Sequence, residues 1–422
     1  MKTWIDVTDF LNWRGNLTGI QRVQYNIAKL YISSGEDVGF FVYDESQRRF
    51  TDVEFDPELV SKNGLIGSGV AEEARQGKAL HPALQLIKRV APAGAKKIAR
   101  QAMNRYAASD KKVESEKGVP FAQDDAVLVL GGIWYGDYAD MMALYKNKIG
   151  FTFLHIIYDM VPVLFPGYVV EDLPRNFAEY KRKVFSIADG VFAISESSLR
   201  DAEVFMNKEK ITFPATTVIR IGDEIIGAER EVPVRELEGT EYILAVSTVE
   251  MRKNHIALYY ALKEAEARGV ALPKIVIAGR PGWHTADARY VISRDTTAQE
   301  GMVLLDSVND AQLTWLYKHC LFTVFPSFYE GWGMPVAESL AYGKLCLSSN
   351  ISSMPEIAGD LIDYFSPYDT GALLDLMLRY LDPKLRIARE NGLLQNYKST
   401  KWGETFESIK KFATTVHESA TK

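Results

Sequence analysis

The chain has 422 residues, of which 47% are hydrophobic and 25% charged, with a formal net charge of −6. This length predicts two or three domains of roughly 100–200 residues each, and the composition excludes intrinsic disorder, a disulfide scaffold and general nucleic-acid binding. No apolar run approaches the ~18 residues that span a bilayer, and Asp6 and Asp9 interrupt the apolar core that a secretory leader would need. A cytoplasmic, multi-domain protein is therefore expected.

The first half of the chain alternates between apolar strands and helices. A short strand with β-branched residues is predicted at 3–8, and further strands at 37–43, 126–130, 151–157 and 191–195. Continuous apolar runs of this length are typical of strands buried on both faces of a parallel sheet. A helix follows the loop RGNLTG, because apolar residues recur there on one helical face at Ile20, Val23, Ile27 and Leu30. These elements predict a Rossmann-like N-terminal domain over 1–225.

A basic insertion at 81–118 interrupts this domain. Its segment 85–112 holds eight Lys or Arg residues against the single acidic residue Asp110, with apolar residues interleaved at roughly helical spacing. Two interpretations remain open. The segment is either a helix that lies on an anionic membrane surface or a solvated helix packed on its own domain.

The second half of the chain has a clearer alternation. Strands are predicted at 242–247, 274–279, 302–305, 321–325 and 345–348, with helices near 254–268, 309–319 and 334–343. This repetition predicts a second doubly wound α/β domain over 241–400. The charged stretch 226–240 lacks apolar periodicity and is interpreted as the linker. The tail 401–422 places Trp402, Phe406, Ile409 and Phe412 at helical spacing, which predicts a helix with a buried face.

The most informative candidate site is the segment 327–343. Ligands of doubly wound sheets bind outside the carboxyl ends of the strands, and this segment directly follows a strand. Gly331 and Gly333 would let backbone approach a ligand, and Pro335 suits the start of a helix whose amino end favours an anion such as a diphosphate. Glu330 and Glu338 could accept hydrogen bonds from sugar hydroxyls. The alternative is an ordinary strand–turn–helix with two surface glutamates.

Other polar residues follow strands in the same way. Arg252 and Lys253 offer a planar fork and a point charge, a pair suited to a diphosphate leaving group, although an exposed basic pair is the simpler alternative. Tyr158 and Asp159 end a strand of the first half. Gly19 lies in the loop after the first strand and could let backbone approach the ligand from the opposite side.

These segments together resemble the family 4 retaining glycosyltransferases of the GT-B fold. SFYEGWGMPVAESLAYG resembles their E-x7-E signature, and the TGI-R loop, the R-K-N-H and IAG segments and SSMPEIAGD follow in the matching order. The resemblance covers about 1–80 and 120–410. It implies two Rossmann-like domains facing across a cleft, with the last helix, 401–422, crossing back to the N-terminal domain.

The resemblance also implies roles for the candidate residues. Arg252 and Lys253 would hold the donor diphosphate, Glu338 the nucleotide ribose, and Glu330 the donor sugar. The remaining donor-binding residues would be Gly19, Tyr158, Asp159, Gly331, Gly333, Met334 and Pro335. Tyr158 stands where many relatives have a histidine that contacts the donor sugar, and its hydroxyl can still form a hydrogen bond. No metal or further cofactor is implied.

The implied function is a metal-independent, retaining hexosyltransferase of surface-polysaccharide synthesis (O-antigen, capsule or exopolysaccharide). It would move a mannose-type sugar from a GDP-sugar donor to a glycan or lipid-linked acceptor, in the cytoplasm or on the inner membrane face through 85–112. The alternatives are a sugar-nucleotide 2-epimerase of the same fold and a non-catalytic sugar-nucleotide-binding scaffold. A nucleotide-dependent dehydrogenase is disfavoured, because no G-x-G-x-x-G follows a strand.

Overall fold

Two sheets, one in each half of the chain, organise the protein. The computed structural model describes residues 1–13, 19–57, 119–134, 136–224, 230–283 and 285–420. The basic segment 85–112 and the insertion 81–118 lie outside the described residues. Among the residues that are described, no helix is both long and apolar enough to cross a membrane.

The first sheet has seven strands in the order β3-β2-β1-β4-β5-β6-β7. They are β1 (Thr3–Asp6), β2 (Val38–Asp44), β3 (Arg49–Val53), β4 (Ala126–Val129), β5 (Thr152–Ile157), β6 (Gly190–Ala193) and β7 (Ala215–Val218). All neighbours are parallel except β2 and β3, which pair antiparallel at one edge. Over its described residues, this half has the helices α1 (Thr8–Asn12), α2 (Gly19–Ser34), α3 (Tyr138–Ile149), α4 (Val161–Leu164), α5 (Leu173–Ile187) and α6 (Glu196–Glu209).

The second sheet is entirely parallel, with six strands in the order β10-β9-β8-β11-β12-β13. They are β8 (Tyr242–Val246), β9 (Lys274–Ala278), β10 (Met302–Leu305), β11 (Thr323–Phe325), β12 (Cys346–Ser349) and β13 (Asp363–Phe365). The helices are α7 (Ile256–Ala267), α8 (Ala286–Arg294), α9 (Thr296–Gly301), α10 (Asp310–His319), α11 (Met334–Ala341), α12 (Met354–Ala358), α13 (Thr370–Leu381) and α14 (Pro383–Asn396). The described part of 226–240 packs on this half, where Val234 and Leu237 are buried against Tyr242 and Leu316.

The observed topology confirms the predicted α/β class with two doubly wound domains. Every residue of β1, β4, β5 and β6 is buried, as expected for parallel strands covered by helices on both faces. The sequence patterns did not indicate β3, β7 or β13. These strands are short and partly exposed, so they lack the continuous apolar runs that identified the others.

The last helix, α15 (Trp402–Ala420), packs against α2 and against β5 of the first sheet. The ring of Phe406 meets Tyr31 of α2 edge-on, with centroids 4.9 Å apart. Trp402 covers Gly222, where an added Cβ would lie 2.6 Å from the indole. At the far end, the hydroxyl of Thr152 in β5 lies 2.7 Å from Nδ1 of His417. The chain therefore returns to its first domain after completing the second.

We predict that Phe406→Ala destabilises the protein by about 3–5 kcal/mol, because it removes a buried ring and leaves a cavity against Tyr31. The exposed Lys411 of the same helix provides the control, and Lys411→Ala should melt with the wild type. Thermal melting and urea unfolding would measure both variants. Equal stability of Phe406→Ala and wild type would show that α15 does not stabilise the first domain.

Candidate active site

Two adjoining cavities of about 600 and 660 Å³ lie between the domains. Both are lined by loops that follow the carboxyl ends of strands, including β5 in the first sheet and β8 and β9 in the second. The two cavities share a wall formed by Ile20, Tyr158, Asp159, Thr248, Lys253 and Arg280. Volumes of this size are typical of sites for small ligands.

The structure brings nearly all of the candidate residues together in the first cavity. The residues from the sequence-based set that line it are Gly19, Tyr158, Asp159, Lys253, Glu330, Gly331, Gly333, Met334, Pro335 and Glu338. Arg252 is the exception, since it lines the second cavity. Arg252 therefore lies beside the first cavity rather than in its wall.

Arg252, Lys253 and Glu330 form a buried charge cluster. The loop after β8 carries the two cations and the loop after β11 carries Glu330. The Glu330 carboxylate lies 2.6 Å from Nη1 of Arg252 and 2.6 Å from Nζ of Lys253, one oxygen to each. Arg252 also donates to Oε1 of Glu250 at 2.8 Å and to the carbonyl oxygen of Tyr329 at 2.6 Å. Both cations thus have carboxylate partners within the protein.

The pKa shifts of this cluster follow from burial and mutual attraction. Burial alone would raise the pKa of Glu330, but Arg252 and Lys253 outweigh it and lower the pKa to about 2. Burial opposes the charge of Arg252 as well, yet Glu330 and Glu250 raise its pKa. For Lys253 burial prevails over the attraction of Glu330 and lowers the pKa. Glu330 is therefore firmly ionised at neutral pH.

Glu338 is held by residues from both domains. Its Oε1 accepts from Nη1 of Arg22 in α2 at 3.1 Å, and its Oε2 accepts from the hydroxyl of Tyr317 in α10 at 2.9 Å. Arg22 also reaches Asp310 at 2.9 Å. Burial raises the pKa of Glu338, although Arg22 and the Tyr317 hydroxyl oppose that shift. The carboxylate is thus buried in the cavity wall and is not a surface glutamate.

The amino end of α11 forms another part of the first cavity. Gly333 precedes the helix with φ of 123°, a conformation that side chains rarely adopt. Pro335 occupies the first turn, as predicted, where its missing N–H costs no helical hydrogen bond. The helix thereby begins at the cavity and directs the positive end of its dipole toward it, an arrangement that favours anions.

Tyr158 joins the domains through its backbone. A Cβ on Gly331 would lie 2.0 Å from the Tyr158 carbonyl oxygen, so only glycine fits there. The Ser198 hydroxyl is 2.9 Å from that oxygen and 3.2 Å from the carbonyl oxygen of Gly331. Ser195 caps α6 by accepting from the backbone N–H of Ser198 at 3.0 Å. The phenol of Tyr158 donates to the carbonyl of Leu130 at 2.8 Å.

Sequence reasoning missed three residues of this region. Arg22 lies in the TGI-R segment, but its pairing with Glu338 depends on the approach of the two domains. Arg280 follows β9 and lines both cavities, so the strand-end rule could have found it. Asn254 has φ of 55°, and its side-chain amide donates to the carbonyls of Pro326 at 3.0 Å and Pro367 at 2.9 Å. It thereby fixes the loop that carries Lys253.

Residues 229–390 match the family model "Glycosyl transferases group 1". The chain is 35% identical over 159 residues to the O-antigen chain mannosyltransferase B of Escherichia coli, a match that covers 36% of this chain and 41% of that protein. It is 27% identical over 265 residues to the serotype-specific mannosyltransferase WbdA of Escherichia coli, covering 59% of this chain and 32% of that protein. The chain thus spans less than half the length of either relative.

Among solved structures, Anabaena HepE in complex with UDP-glucose superimposes with a TM-score of 0.62 at 14% identity, covering 98% of this chain and 100% of that one. This likeness establishes the fold, and the GT-B fold expected from the sequence is confirmed. The family match confirms the resemblance at the level of a group 1 glycosyltransferase domain. Among the described residues, no group of three or more His, Cys, Asp or Glu side chains is arranged to hold a metal ion.

We predict that Glu330→Gln destabilises the protein by about 3–5 kcal/mol at neutral pH, because two buried cations lose their carboxylate. The pKa of Glu330 is lowered from 4.5 to about 2, so its stabilising effect is complete above pH 4.5 and is lost as the pH falls through about 2. The difference in melting temperature between the variant and wild type should therefore be constant from pH 8 to 5 and narrow below it. Glu171→Gln at an exposed site is the control. A difference that is unchanged down to pH 3 would contradict this assignment.

Proposed function

We propose that this chain, which carries a group 1 glycosyltransferase domain, is a metal-independent, retaining hexosyltransferase of surface-polysaccharide synthesis. It would move a mannose-type sugar from a GDP-sugar donor onto a glycan or lipid-linked acceptor. The observation that carries the proposal is the wall of the first cavity. It joins Lys253 and Glu330 of the charge cluster, Glu338 and the amino end of α11 around one space between the domains. The named mannosyltransferases among the relatives support the sugar and the pathway.

The chemistry proposed for this cavity breaks the bond between the anomeric carbon and the diphosphate. The acceptor hydroxyl oxygen forms the new bond to that carbon on the same face, and the departing diphosphate oxygen takes the hydroxyl proton. The transition state resembles an oxocarbenium ion beside an anionic leaving group, so positioning and electrostatics dominate catalysis. No enzymic nucleophile is required.

Lys253 and the amino end of α11 would stabilise the departing diphosphate. Arg252 would act mainly through Glu330 and Tyr329, whose positions it fixes by hydrogen bonds of 2.6 Å. Glu338 would hold the ribose, and the backbone of Gly331, Gly333, Met334 and Pro335 would follow the phosphates and the sugar. Gly19, Tyr158 and Asp159 would complete the donor site from the first domain. Glu330 would accept hydrogen bonds from the donor sugar with the carboxylate lone pairs that the cations do not use.

A thermal-shift panel of nucleoside diphosphates tests the donor. We expect GDP to raise the melting temperature more than UDP or ADP, since a ligand that binds only the folded state stabilises it. A selective shift with UDP would overturn the guanine assignment. Absence of a shift with any nucleoside diphosphate or its sugars would overturn the proposed function as a whole, including the scaffold alternative.

Steady-state kinetics separate an enzyme from a binding scaffold. We predict that Lys253→Ala lowers kcat about 10²–10³-fold with a modest change in KM, because the ammonium acts on charge that develops in the transition state. Glu338→Ala should chiefly raise the donor KM, since a ribose contact is made equally in the ground state. Lys318→Ala, at an exposed lysine of α10, should behave as wild type.

Two outcomes of these assays would refute the mechanism. Turnover of Lys253→Ala at the wild-type rate would remove the role of the cation, and abolition of wild-type turnover by EDTA would refute metal independence. GDP binding by Lys253→Ala, measured in the same thermal-shift assay, shows that the variant is folded.

A further inference from the structure

Lys181 is a buried cation in the wall of the second cavity. It lies on α5, is 4% exposed, and places Nζ 2.8 Å from Nε2 of His155. The rings of Phe177, Tyr180 and Phe185 surround the ammonium, with centroids 5.2, 5.8 and 5.5 Å away. Both Lys181 and His155 line the cavity. This part of the wall is thus mainly aromatic, and its polar groups are the two nitrogen side chains and the hydroxyl of Tyr180.

Lys181 differs from Arg252 and Lys253 in having no carboxylate partner among the described residues. Arg252 and Lys253 each bind Glu330, whereas no carboxylate of the described residues lies within salt-bridge distance of Lys181. Burial lowers the pKa of Lys181 to about 7, and the charge of Asp159 only partly opposes that shift. A buried ammonium without a counter-ion is costly, so an anion entering the cavity would be stabilised there.

His155 adds a second donor to the pair. Burial and the adjacent Lys181 lower its pKa well below the ordinary value, so the imidazole is neutral. When Nε2 accepts a hydrogen bond from the lysine ammonium, the imidazole proton resides on Nδ1. Within the described parts of the chain, this buried Nδ1 has no hydrogen-bond partner. The Nδ1–H of His155 is therefore a buried donor without an acceptor in the described protein, next to an ammonium that has only the imidazole as its hydrogen-bond partner.

We propose that Lys181, supported by His155, binds an anionic group of the acceptor, either the carboxylate of a uronic acid or a phosphate ester. This inference rests on the proposed function, because it takes the first cavity as the donor site. The second cavity adjoins it through Lys253 and Asp159 and has a volume of about 660 Å³, which suits one or two sugar units. An acceptor bound there would present its hydroxyl at the shared wall.

Ligand-observed NMR titrations test this subsite with three probes: methyl glucuronide, mannose 6-phosphate and the neutral methyl mannoside. Wild-type protein should bind at least one charged probe more tightly than the neutral sugar. Lys181→Met should weaken that binding about tenfold or more, the loss expected for a hydrogen bond to a charged group, and leave methyl mannoside unchanged. The two charged probes distinguish a carboxylate ligand from a phosphate.

Lys183→Met is the matched control, because Lys183 lies on the same helix but pairs at the surface with Asp140 and Glu179. It should bind all three probes as wild type does. In Lys181→Met, methionine retains most of the length of the lysine side chain. If Lys181→Met does not fold, Lys181→Gln is used in its place.

Two results would overturn the subsite: wild-type protein that prefers neither charged probe over the neutral sugar, or Lys181→Met that retains the preference. The GDP thermal shift separates this failure from failure of the proposed function. A normal GDP shift without a charge preference would refute only the anionic subsite, whereas the lack of a nucleotide response in wild-type protein would refute the glycosyltransferase assignment.

Discussion

The cleft depends on one backbone contact between the domains, at which Gly331 meets the carbonyl of Tyr158. A side chain at position 331 would place Cβ 2.0 Å from that oxygen, so glycine is a steric requirement. Ser198 lies within hydrogen-bond distance of both carbonyls, at 2.9 and 3.2 Å. Nearby, Glu356 of the second domain accepts from the backbone N–H of Ser197 at 2.8 Å, at the amino end of α6, where a carboxylate is favoured by the helix dipole. These contacts set the distance between the walls that form both cavities.

Charge compensation is the second constraint on the site. Burying Arg252 and Lys253 without carboxylates would be costly, and Glu330 and Glu250 leave the four groups with no net formal charge. Under the proposed function, a diphosphate would therefore compete with Glu330 for Lys253. When the diphosphate leaves, Glu330 would again neutralise the cation. Under that proposal, Glu330 would thus keep the two cations compensated between catalytic cycles.

The sequence predicted the structural features that depend on local residue patterns. Continuous apolar runs identified the central strands of both sheets, and the strand-end rule directed attention to residues that the structure brings into one cleft. It could not predict pairings between distant loops, because they depend on how the domains meet. The pairing of Lys253 with Glu330 joins residues 77 positions apart, and that of Arg22 with Glu338 spans 316. For the same reason the sequence could not predict the position of Arg252. A basic pair after β8 indicates an anion site, but only the folded loop shows that Arg252 lines the second cavity.

Lys253 in the first cavity and Lys181 in the second have different partners. This difference assigns the donor and the acceptor of the proposed reaction to different cavities. In the first, Arg22 and Lys253 each have a carboxylate partner, so a donor bound to Lys253 would exchange one ion pair for another. In the second, Lys181 has only the neutral His155 and aromatic rings beside it, so an acceptor anion would gain a partner without displacing one. Lys253 and Asp159 line both cavities. Both substrates would contact these side chains at the shared wall. The new glycosidic bond would form there.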